Sequence, residues 1–249
     1  MTTAREPFFI GWTNQVPPGL RAPLLGVAGG LLTLLVLLAL LLARAAGDPG
    51  TGNWAGDATL RGTLTALPYP LLRLPPDAGH PEGHTVLLSA FGKAQVAVDP
   101  AATDGRLVQA GGVLLKRGTL DMLVVNDPAQ LHTVDGAPPP VAATVPLGRW
   151  RIAGEICDGK CDTGAMRPGA GIAHRACASL CLIGDIPPVL VSAQPAAGSN
   201  FFLLAGPDGG AMPAALRKLV GLRLQLDGDL ERRGDMVVFR VDPASATVL

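Results

Sequence analysis

All four cysteines of this chain lie in one 25-residue stretch, CDGKCDTGAMRPGAGIAHRACASLC, at residues 157–181. They form two Cys-x-x-x-Cys pairs on either side of a Pro/Gly-rich segment, with His174 close to the second pair. Thiolates and imidazoles bind soft metal ions, and thiols also form structural disulfides or redox-active dithiols. The side chains of this chain with the clearest chemical potential therefore lie in this stretch. Their types are consistent with three kinds of site: a metal site, a pair of structural disulfides or a reactive dithiol.

The second cysteine pair is predicted to lie on a short helix. Residues 172–183 read as helical, and Gly184 followed by two prolines ends the pattern. On such a helix His174, Cys177 and Cys181 are spaced i, i+3 and i+7, which places them on one face. The segment before the helix reads as a loop after a strand, so its two cysteines can fold back over that face.

A metal site is the first interpretation. Three thiolates and one imidazole would form a tetrahedral zinc set, with the candidate ligands Cys161, His174, Cys177 and Cys181. The same soft sulfur ligands suit copper(I) or an iron–sulfur cluster, and the thioether of Met166 would favour copper. Cys157 is a possible additional ligand or a disulfide partner. The Cys-x-x-x-Cys spacing differs from the Cys-x-x-Cys spacing of zinc ribbons.

Structural disulfides are the second interpretation, and they need no cofactor. Cys177 and Cys181 are a poor pair, because their Cβ vectors run parallel along the helix. Pairing of loop to helix is easier: Cys157–Cys177 with Cys161–Cys181, or the reverse. Each bridge would contribute about 3 kcal/mol. A reactive dithiol is the third interpretation, since Cys177 lies near a helix N-terminus beside two basic side chains.

The cysteine stretch resembles a motif of uncharacterised bacterial membrane-anchored proteins, GEI-x-D-x-K-C-x-x-G-x-M-x-P-G…H-x-x-C-A-x-x-C-x-x-G-G-x-P-P-V. The resemblance covers about 36 residues, 154–189, and departs at Asp185, where the motif has Gly. Cys157 matches no cysteine of the motif. The resemblance therefore implies Cys161, His174, Cys177 and Cys181 as the core group and favours the metal interpretation, but it implies no reaction. The matching residues are Gly154, Glu155, Ile156, Asp158, Lys160, Cys161, Gly164, Met166, Pro168, Gly169, His174, Cys177, Ala178, Cys181, Gly184, Pro187, Pro188 and Val189.

An internal repeat predicts the elements that position this stretch. GVLLKRGTLDMLVV at 112–125 aligns without a gap with GDLERRGDMVVFRV at 228–241, an offset of 116 (228 − 112). LRGTL at 60–64 resembles IAGEI at 152–156, an offset of 92 (152 − 60). The second copy is thus 24 residues longer between these points (116 − 92), and the cysteine stretch begins directly after IAGEI. We expect two related domains, with the cysteine module inserted into the second.

The predicted fold class is all-β, with two OB-like five-stranded barrels after an N-terminal membrane helix. Short strands and Gly-rich turns favour small barrels over long helices, with an unrelated β-sandwich as the alternative. Each repeat contains a basic pair and a glycine that read as a hairpin turn. Pro213–Val220 is predicted to be the helix that precedes the fourth strand of the second barrel. The domains are expected at 58–145 and 148–249, the second carrying the cysteine module at 157–188.

Residues 22–43 form an uncharged apolar segment of 22 residues, long enough to cross a bilayer core of roughly 30 Å. An uncleaved anchor is favoured over a signal peptide, although Ala43-Arg44-Ala45 would suit a cleavage site before Ala46. The positive-inside bias slightly favours a cytoplasmic tail at 1–21 and a linker at 44–57 leading to domains outside the cytoplasm. The expected location is the inner membrane, with the domains in the periplasm of a Gram-negative cell.

Charge and motifs exclude several function classes. The 20 basic and 20 acidic residues balance, which argues against a nucleic-acid binder. The sequence contains no phosphate-binding loop, nucleophile elbow or His-Glu-x-x-His pair. His80 and His84 flank Pro and Gly and are expected in a solvated loop, and Glu155 and Asp158 are expected to orient loops rather than to act in catalysis.

The expected function is that of a membrane-anchored accessory or docking subunit. Its partners would be membrane or periplasmic redox subunits, and its cysteine module would bind a metal or be stapled by disulfides. Enzymatic activity is left open and is not favoured. The alternatives are a thiol–disulfide or metal-transfer factor and an OB-like ligand-binding module, for which 10 aromatic residues provide few stacking platforms.

Overall fold

The computed structural model describes residues 16–46 and 50–249. The chain divides after Ala46 into two units, an N-terminal one that contains a helix and a strand-rich one, Gly47–Leu249. Helix α1 (Pro18–Ala46) has a mean hydropathy of 2.7 in its most apolar window and exposes its apolar side chains. It is long and apolar enough to cross a membrane, and both an anchor and a signal sequence fit this description.

The first barrel is closed by five strands in the order β1-β2-β3-β5-β4, with β4 pairing back to β1. Strands β3 and β5 are parallel, and the other neighbours in the barrel are antiparallel. The elements are β1 (Asn53–Thr65), β2 (Leu71–Leu74), β3 (His84–Ala90), the one-turn helix α2 (Pro100–Thr103), β4 (Leu107–Arg117), β5 (Leu120–Val125), a 3₁₀ turn (Pro128–Gln130) and the short β6 (Leu131–Thr133).

The second barrel has the same topology, in the order β7-β8-β9-β11-β10 with β10 pairing back to β7. Its elements are β7 (Thr144–Asp158), 3₁₀ turn Ile172–His174, α3 (Arg175–Ile183), β8 (Pro188–Ala196), β9 (Ser199–Ala205), 3₁₀ turn Ala214–Leu219, β10 (Arg223–Arg233), β11 (Met236–Val241), 3₁₀ turn Pro243–Ser245 and β12 (Thr247–Val248). This strand order is that of an OB-type Greek-key barrel, so the predicted fold class is confirmed.

The internal repeat corresponds to equivalent strands of the two barrels. Residues 112–125 lie in the β4–β5 hairpin and 228–241 in the β10–β11 hairpin. The turn glycines Gly118 and Gly234 have φ of 57° and 64°, the left-handed conformation that glycine adopts without steric cost. Gly62 and Gly154 also occupy equivalent positions, where a Cβ would lie 2.3 and 2.4 Å from a carbonyl oxygen of the next strand.

The cysteine module is an insertion in the connection between the first two strands of the second barrel. That connection runs over 29 residues, 159–187, whereas the β1–β2 connection has five, 66–70. The difference of 24 residues (29 − 5) is the one predicted from the two repeat offsets.

Two details differ from the expected boundaries. Strand β1 begins at Asn53, inside the segment expected to be a linker, because its first residues pair with the end of β4. The segment expected to be a helix before the fourth strand of barrel 2 is a 3₁₀ turn, Ala214–Leu219. This turn buries the side chain of Leu216 in the barrel interior. A single buried side chain can be positioned by a 3₁₀ turn, so a regular α-helix is not required.

The two barrels share a hydrophobic cluster that lies between their walls. Strand β5 is buried on both faces: Leu123 and Val125 belong to the interior of barrel 1, while Leu120, Met122 and Val124 belong to the shared cluster. The facing residues of barrel 2 come from β8, β9 and β11 and include Val189, Phe201, Leu203, Met236 and Val238. The barrels therefore form one packed body, and the cysteine module lies against the cluster through Cys157, Cys161 and Cys181.

Candidate metal and thiol site

The first half of the module turns back immediately after β7 ends. A wide helical turn at Cys161–Ala165 follows, and Gly164 within it has φ of 128°. The carboxylate of Asp158 accepts a hydrogen bond from the Cys161 backbone N–H at 2.8 Å. Trp54 of β1 donates its indole N–H to the Gly164 carbonyl at 2.9 Å, which fixes the turn against barrel 1.

The second half of the module is the predicted helix, shortened at its start. Residues 172–174 form a 3₁₀ turn and α3 continues to Ile183, where Gly184 donates to the Leu180 carbonyl at 3.1 Å. A Cβ on Gly184 would lie 1.9 Å from the Lys93 carbonyl oxygen, so only glycine allows this approach. Gln95 N–H donates to the Gly184 carbonyl at 2.7 Å. The end of α3 is thereby held on the loop that follows β3.

Three of the four cysteines come together. The sulfur atoms of Cys161, Cys177 and Cys181 all lie within 4.8 Å of one another. Cys177 and Cys181 are one helical turn apart on α3, and Cys161 reaches them from the turn after β7. Cys161 and Cys181 are buried and Cys177 is half-buried, and all three are free thiols. This three-thiol site is the principal candidate for metal binding.

His174 lies in a second group that shares Cys161. The side-chain atoms of Asp158, Cys161 and His174 also lie within 4.8 Å of one another, and all three residues are buried. His174 Nε2 is 3.4 Å from Asp158 Oδ2. The predicted ligand set of Cys161, His174, Cys177 and Cys181 therefore spans two overlapping groups, and it stays a prediction.

Cys157 lies apart from both groups. Its thiol points back along β7 and donates to Glu155 Oε1 at 3.4 Å. Burial, reinforced by neighbouring acidic side chains, raises the pKa of this thiol well above its ordinary value. The side chain is 1% exposed and packs in the hydrophobic cluster between the barrels.

The three-thiol site forms the floor of a half-open, largely apolar pocket of about 260 Å³. Met166, which is 48% exposed, lines this pocket together with the thiols. Trp54 and Phe91 form part of its rim and are 52% and 67% exposed. The site is thus sheltered by apolar side chains yet open to a small molecule or to a partner's side chain.

Two lysines adjoin the sulfur atoms. The buried Lys160 donates to the carbonyls of Ala90 and Phe91, each at 3.2 Å, and to that of Gly92. Burial lowers the pKa of Lys160. Lys93 Nζ, from barrel 1, lies 2.7 Å from Cys177 Sγ and 3.7 Å from Cys181 Sγ. The hydrogen bond to Cys177 raises the pKa of Lys93.

The two buried thiols affect each other's pKa in opposite directions. The hydrogen bond from Cys161 lowers the pKa of Cys181, and both lysines act in the same direction. The same bond raises the pKa of Cys161, because Cys161 must keep its proton to donate it. Cys181 is therefore the thiol of this pair that ionises first.

A buried ion pair joins the module to barrel 1. Arg117, at the end of β4, binds the carboxylate of Asp162 and lies over the Phe201 ring, 5.6 Å from its centroid. Burial raises the pKa of Asp162 to about 7, although the arginine opposes this shift. Among the residues that the structure describes, none forms a hydrogen bond with the Oδ2 atom of Asp162.

A second polar cluster bridges the barrels around His84. The residue was expected in a solvated loop, but it begins β3 and is 6% exposed. Its Nδ1 lies 2.5 Å from Asp235 Oδ2 of barrel 2, and its Nε2 lies 3.0 Å from Asp121 Oδ2 of barrel 1. Asp235 also accepts hydrogen bonds from Arg73 and Thr85. The prediction of a solvated loop was wrong for His84. Its two carboxylate partners, Asp121 and Asp235, lie far from it in the sequence, so the local pattern gives no sign that the side chain is buried.

Sequence reasoning missed Lys93, Trp54 and Arg117 as neighbours of the cysteines. Lys160 lies within the cysteine motif and could have been chosen from it. The other three precede the module by 40 residues or more and carry no local signal, since only the packing of the barrels brings them there.

No family model, curated protein or solved structure matches this chain. The class of this protein is defined by its own fold and site. It has two OB-type barrels in tandem, an N-terminal apolar helix and a Cys/His cluster that could bind a metal.

Proposed function

We propose that this protein is a membrane-anchored accessory subunit of a redox complex outside the cytoplasm, and that it holds a soft metal ion at Cys161, Cys177 and Cys181. The observation that carries the proposal is the convergence of these three sulfur atoms within 4.8 Å at the floor of a pocket. Three thiolates in this arrangement select zinc, copper(I) or an iron–sulfur cluster.

Three protein thiolates would leave a fourth coordination position of a tetrahedral metal ion for a ligand from the pocket. Structural zinc sites are closed by four protein ligands, whereas sites that exchange ligands have three and an open position. His174 belongs with Asp158, so the open position would be filled from the pocket, by Met166 or by a partner's side chain. The exposed aromatic rim supplies apolar contact area for that partner.

The membrane placement rests on α1 and the flanking charges. Arg5 and Arg21 precede the apolar segment, while only Arg44 closely follows it, so a cytoplasmic N-terminus is favoured. The barrels would then lie outside the cytoplasm. The resemblance to motifs of bacterial membrane-anchored proteins supports the same placement.

The metal assignment is tested by Cys→Ser variants of the full chain, purified in mild detergent under reducing, oxygen-free conditions. We expect bound metal in the wild type and a loss of affinity of at least roughly tenfold in C161S, C177S and C181S. C157S is the matched control and should keep its metal, because Cys157 lies outside the three-thiol site. Elemental analysis and native mass spectrometry supply the readout. Equal metal content in all four variants, or none in the wild type, contradicts the proposal.

The accessory role has its own test. Cross-linking in intact membranes followed by mild detergent extraction should yield a complex that contains redox-active subunits. The variant F91A, at the pocket rim, should weaken this complex without lowering the metal content. Purification of the chain alone after cross-linking would contradict the accessory role.

A second candidate function is thiol–disulfide exchange, which the convergence of the three thiols and the lowered pKa of Cys181 favour. A thiol whose pKa is lowered by a neighbouring thiol and by lysines is poised to attack a disulfide. Reduction of a model disulfide by the metal-free protein, abolished in C181S and retained in C157S, would support it. Inactivity of the metal-free wild type would exclude it.

A further inference from the structure

We propose that Lys93 and Cys177 form a covalent redox switch, in which one oxygen atom becomes inserted between Lys93 Nζ and Cys177 Sγ. The two atoms lie 2.7 Å apart. An N–H···O hydrogen bond has a length of about 2.9–3.0 Å, and sulfur is a larger acceptor than oxygen. The separation is therefore shorter than an ordinary N–H···S contact, and it suits two atoms held by single bonds to one bridging atom.

The surroundings favour Cys177 over the other two thiols. Cys177 is half-buried at the pocket, whereas Cys161 and Cys181 are buried. Cys181 Sγ is 3.7 Å from the same amine, which is too far for a one-atom bridge. Dioxygen is a small apolar molecule, and the pocket beside Cys177 is half-open and lined mainly by apolar groups. The Lys93 amine and the Cys177 thiol are therefore in contact at the wall of a pocket through which dioxygen can reach them.

The reaction balances with dioxygen as the oxidant. The Lys93 ammonium loses a proton, and one N–H and the Cys177 S–H bond break. An N–O and an O–S bond form, and the second oxygen atom leaves as water. Nitrogen and sulfur are each oxidised by two electrons, which together supply the four electrons that dioxygen accepts. Excess dithiol reduces the bridge: two dithiols supply four electrons and become disulfides, and the amine, the thiol and water are formed.

The bridge would control the metal site, and this part of the proposal rests on the proposed function. Cys177 cannot act as a thiolate ligand while its sulfur is bound to oxygen, because metal binding requires the deprotonated thiol. Lys93 belongs to the loop after β3 and Cys177 to the module, so the bridge would also join the two barrels covalently. Oxidation would release the metal, and reduction would restore the site.

The test compares full-length protein in mild detergent, kept oxygen-free with dithiol or exposed to air after removal of metal and reductant. Peptide mapping by mass spectrometry should detect, only after air exposure, the Lys93 and Cys177 peptides joined with the gain of one oxygen and the loss of two hydrogens. Dithiol should separate them. K93R and C177S should abolish the joined species. K218R, at an exposed lysine elsewhere on barrel 2, should leave it unchanged.

Several results would overturn the switch. These are a disulfide within the three-thiol site, an unmodified Cys177 after air exposure, or Lys93 and Cys177 joined without oxygen. Because Lys93 is exposed, K93R should fold normally. Loss of the joined peptides in K93R can then be attributed to the missing amine and not to misfolding.

Metal content of the oxygen-free sample is measured separately, so the proposed function can fail while the bridge still forms. Conversely, a bridged protein that binds added metal as tightly as the reduced protein would overturn the regulatory part alone. We expect the bridged form to bind the metal at least roughly tenfold more weakly than the reduced form.

Discussion

At the scale of single residues, His84 is the group whose protonation most directly links the two barrels. Burial alone would lower its pKa, but the carboxylates of Asp121 and Asp235, at 3.0 and 2.5 Å from its two ring nitrogens, raise the pKa to about 9. His80 stacks on the same ring at 4.1 Å, while Lys116 and Arg73 bind the two aspartates. The folded protein therefore favours the imidazolium form, which carries the positive charge between two carboxylates.

The first prediction is a loss of stability at alkaline pH. A histidine whose pKa rises on folding contributes stability that is complete below its unfolded value, near 6.5, and that is lost as the pH rises through about 9. Between these values the free energy of unfolding should fall by up to about 3 kcal/mol. Urea unfolding of the detergent-solubilised chain at pH 6 and at pH 9 measures this difference in the free energy of unfolding.

The control for this prediction separates His84 from Cys181, whose pKa is lowered by the hydrogen bond from Cys161, and from Asp162, whose pKa burial raises to about 7. H84Q should flatten the difference between the two pH values, whereas H132Q, at an exposed histidine of β6, should not. Identical pH profiles for H84Q and the wild type would show that His84 does not carry the effect. Asp235 adds nothing in this window, because hydrogen bonds from His84 and Thr85 lower its pKa below the ordinary value despite its burial.

At the scale of elements, the contact between α3 and the loop after β3 decides where the sulfur atoms lie. Gly184 ends α3 and touches the backbone of Lys93, while the Lys160 ammonium binds three successive carbonyls of the same loop. The inserted module is therefore held by the first barrel as well as by the barrel into which it is inserted.

The second prediction concerns this contact. G184A places a Cβ against the Lys93 carbonyl, so it should lower the free energy of unfolding by about 1–3 kcal/mol and weaken metal binding. G92A is a matched control in the same loop, because a Cβ there meets no atom of the described part of the chain within 4 Å. Urea unfolding and metal titration of both variants provide the readout. If G184A behaved like G92A, the module would not depend on this approach.

At the scale of the whole molecule, the two barrels are joined by a hydrophobic cluster rather than by a flexible connection. Strands β5, β9 and β11 bury both of their faces, one in a barrel interior and one in the cluster. Phe201 is 3% exposed within this cluster and supports Arg117, which binds the module. Loss of the cluster should therefore affect both barrels and the three-thiol site together.

The third prediction is that F201A destabilises the strand-rich unit by about 3–5 kcal/mol while unfolding stays a single transition. F91A removes a phenylalanine that is 67% exposed and should change stability by less than about 0.5 kcal/mol. Near-UV and far-UV circular dichroism in urea follow the packing and the strands. Two separate transitions in the wild type would contradict a shared cluster.

The local pattern of residues determined the apolar helix, the two related barrels and the position of the insertion. Strand alternation, hairpin glycines and repeat offsets are local signals, and glycines such as Gly62 and Gly154 are required wherever two backbones approach closely. The spacing of Cys177 and Cys181, one helical turn apart, is likewise a local signal that places both sulfur atoms on one face of α3.

Tertiary structure alone decided which groups surround the cysteines. It brought Lys93 to Cys177, Trp54 and Arg117 to the turn after β7, and Asp235 to His84. These contacts join residues far apart in the chain, so no sequence spacing encodes them. They follow from two barrels burying a common apolar face, since the free energy of that burial depends on the matched surfaces rather than on any local motif.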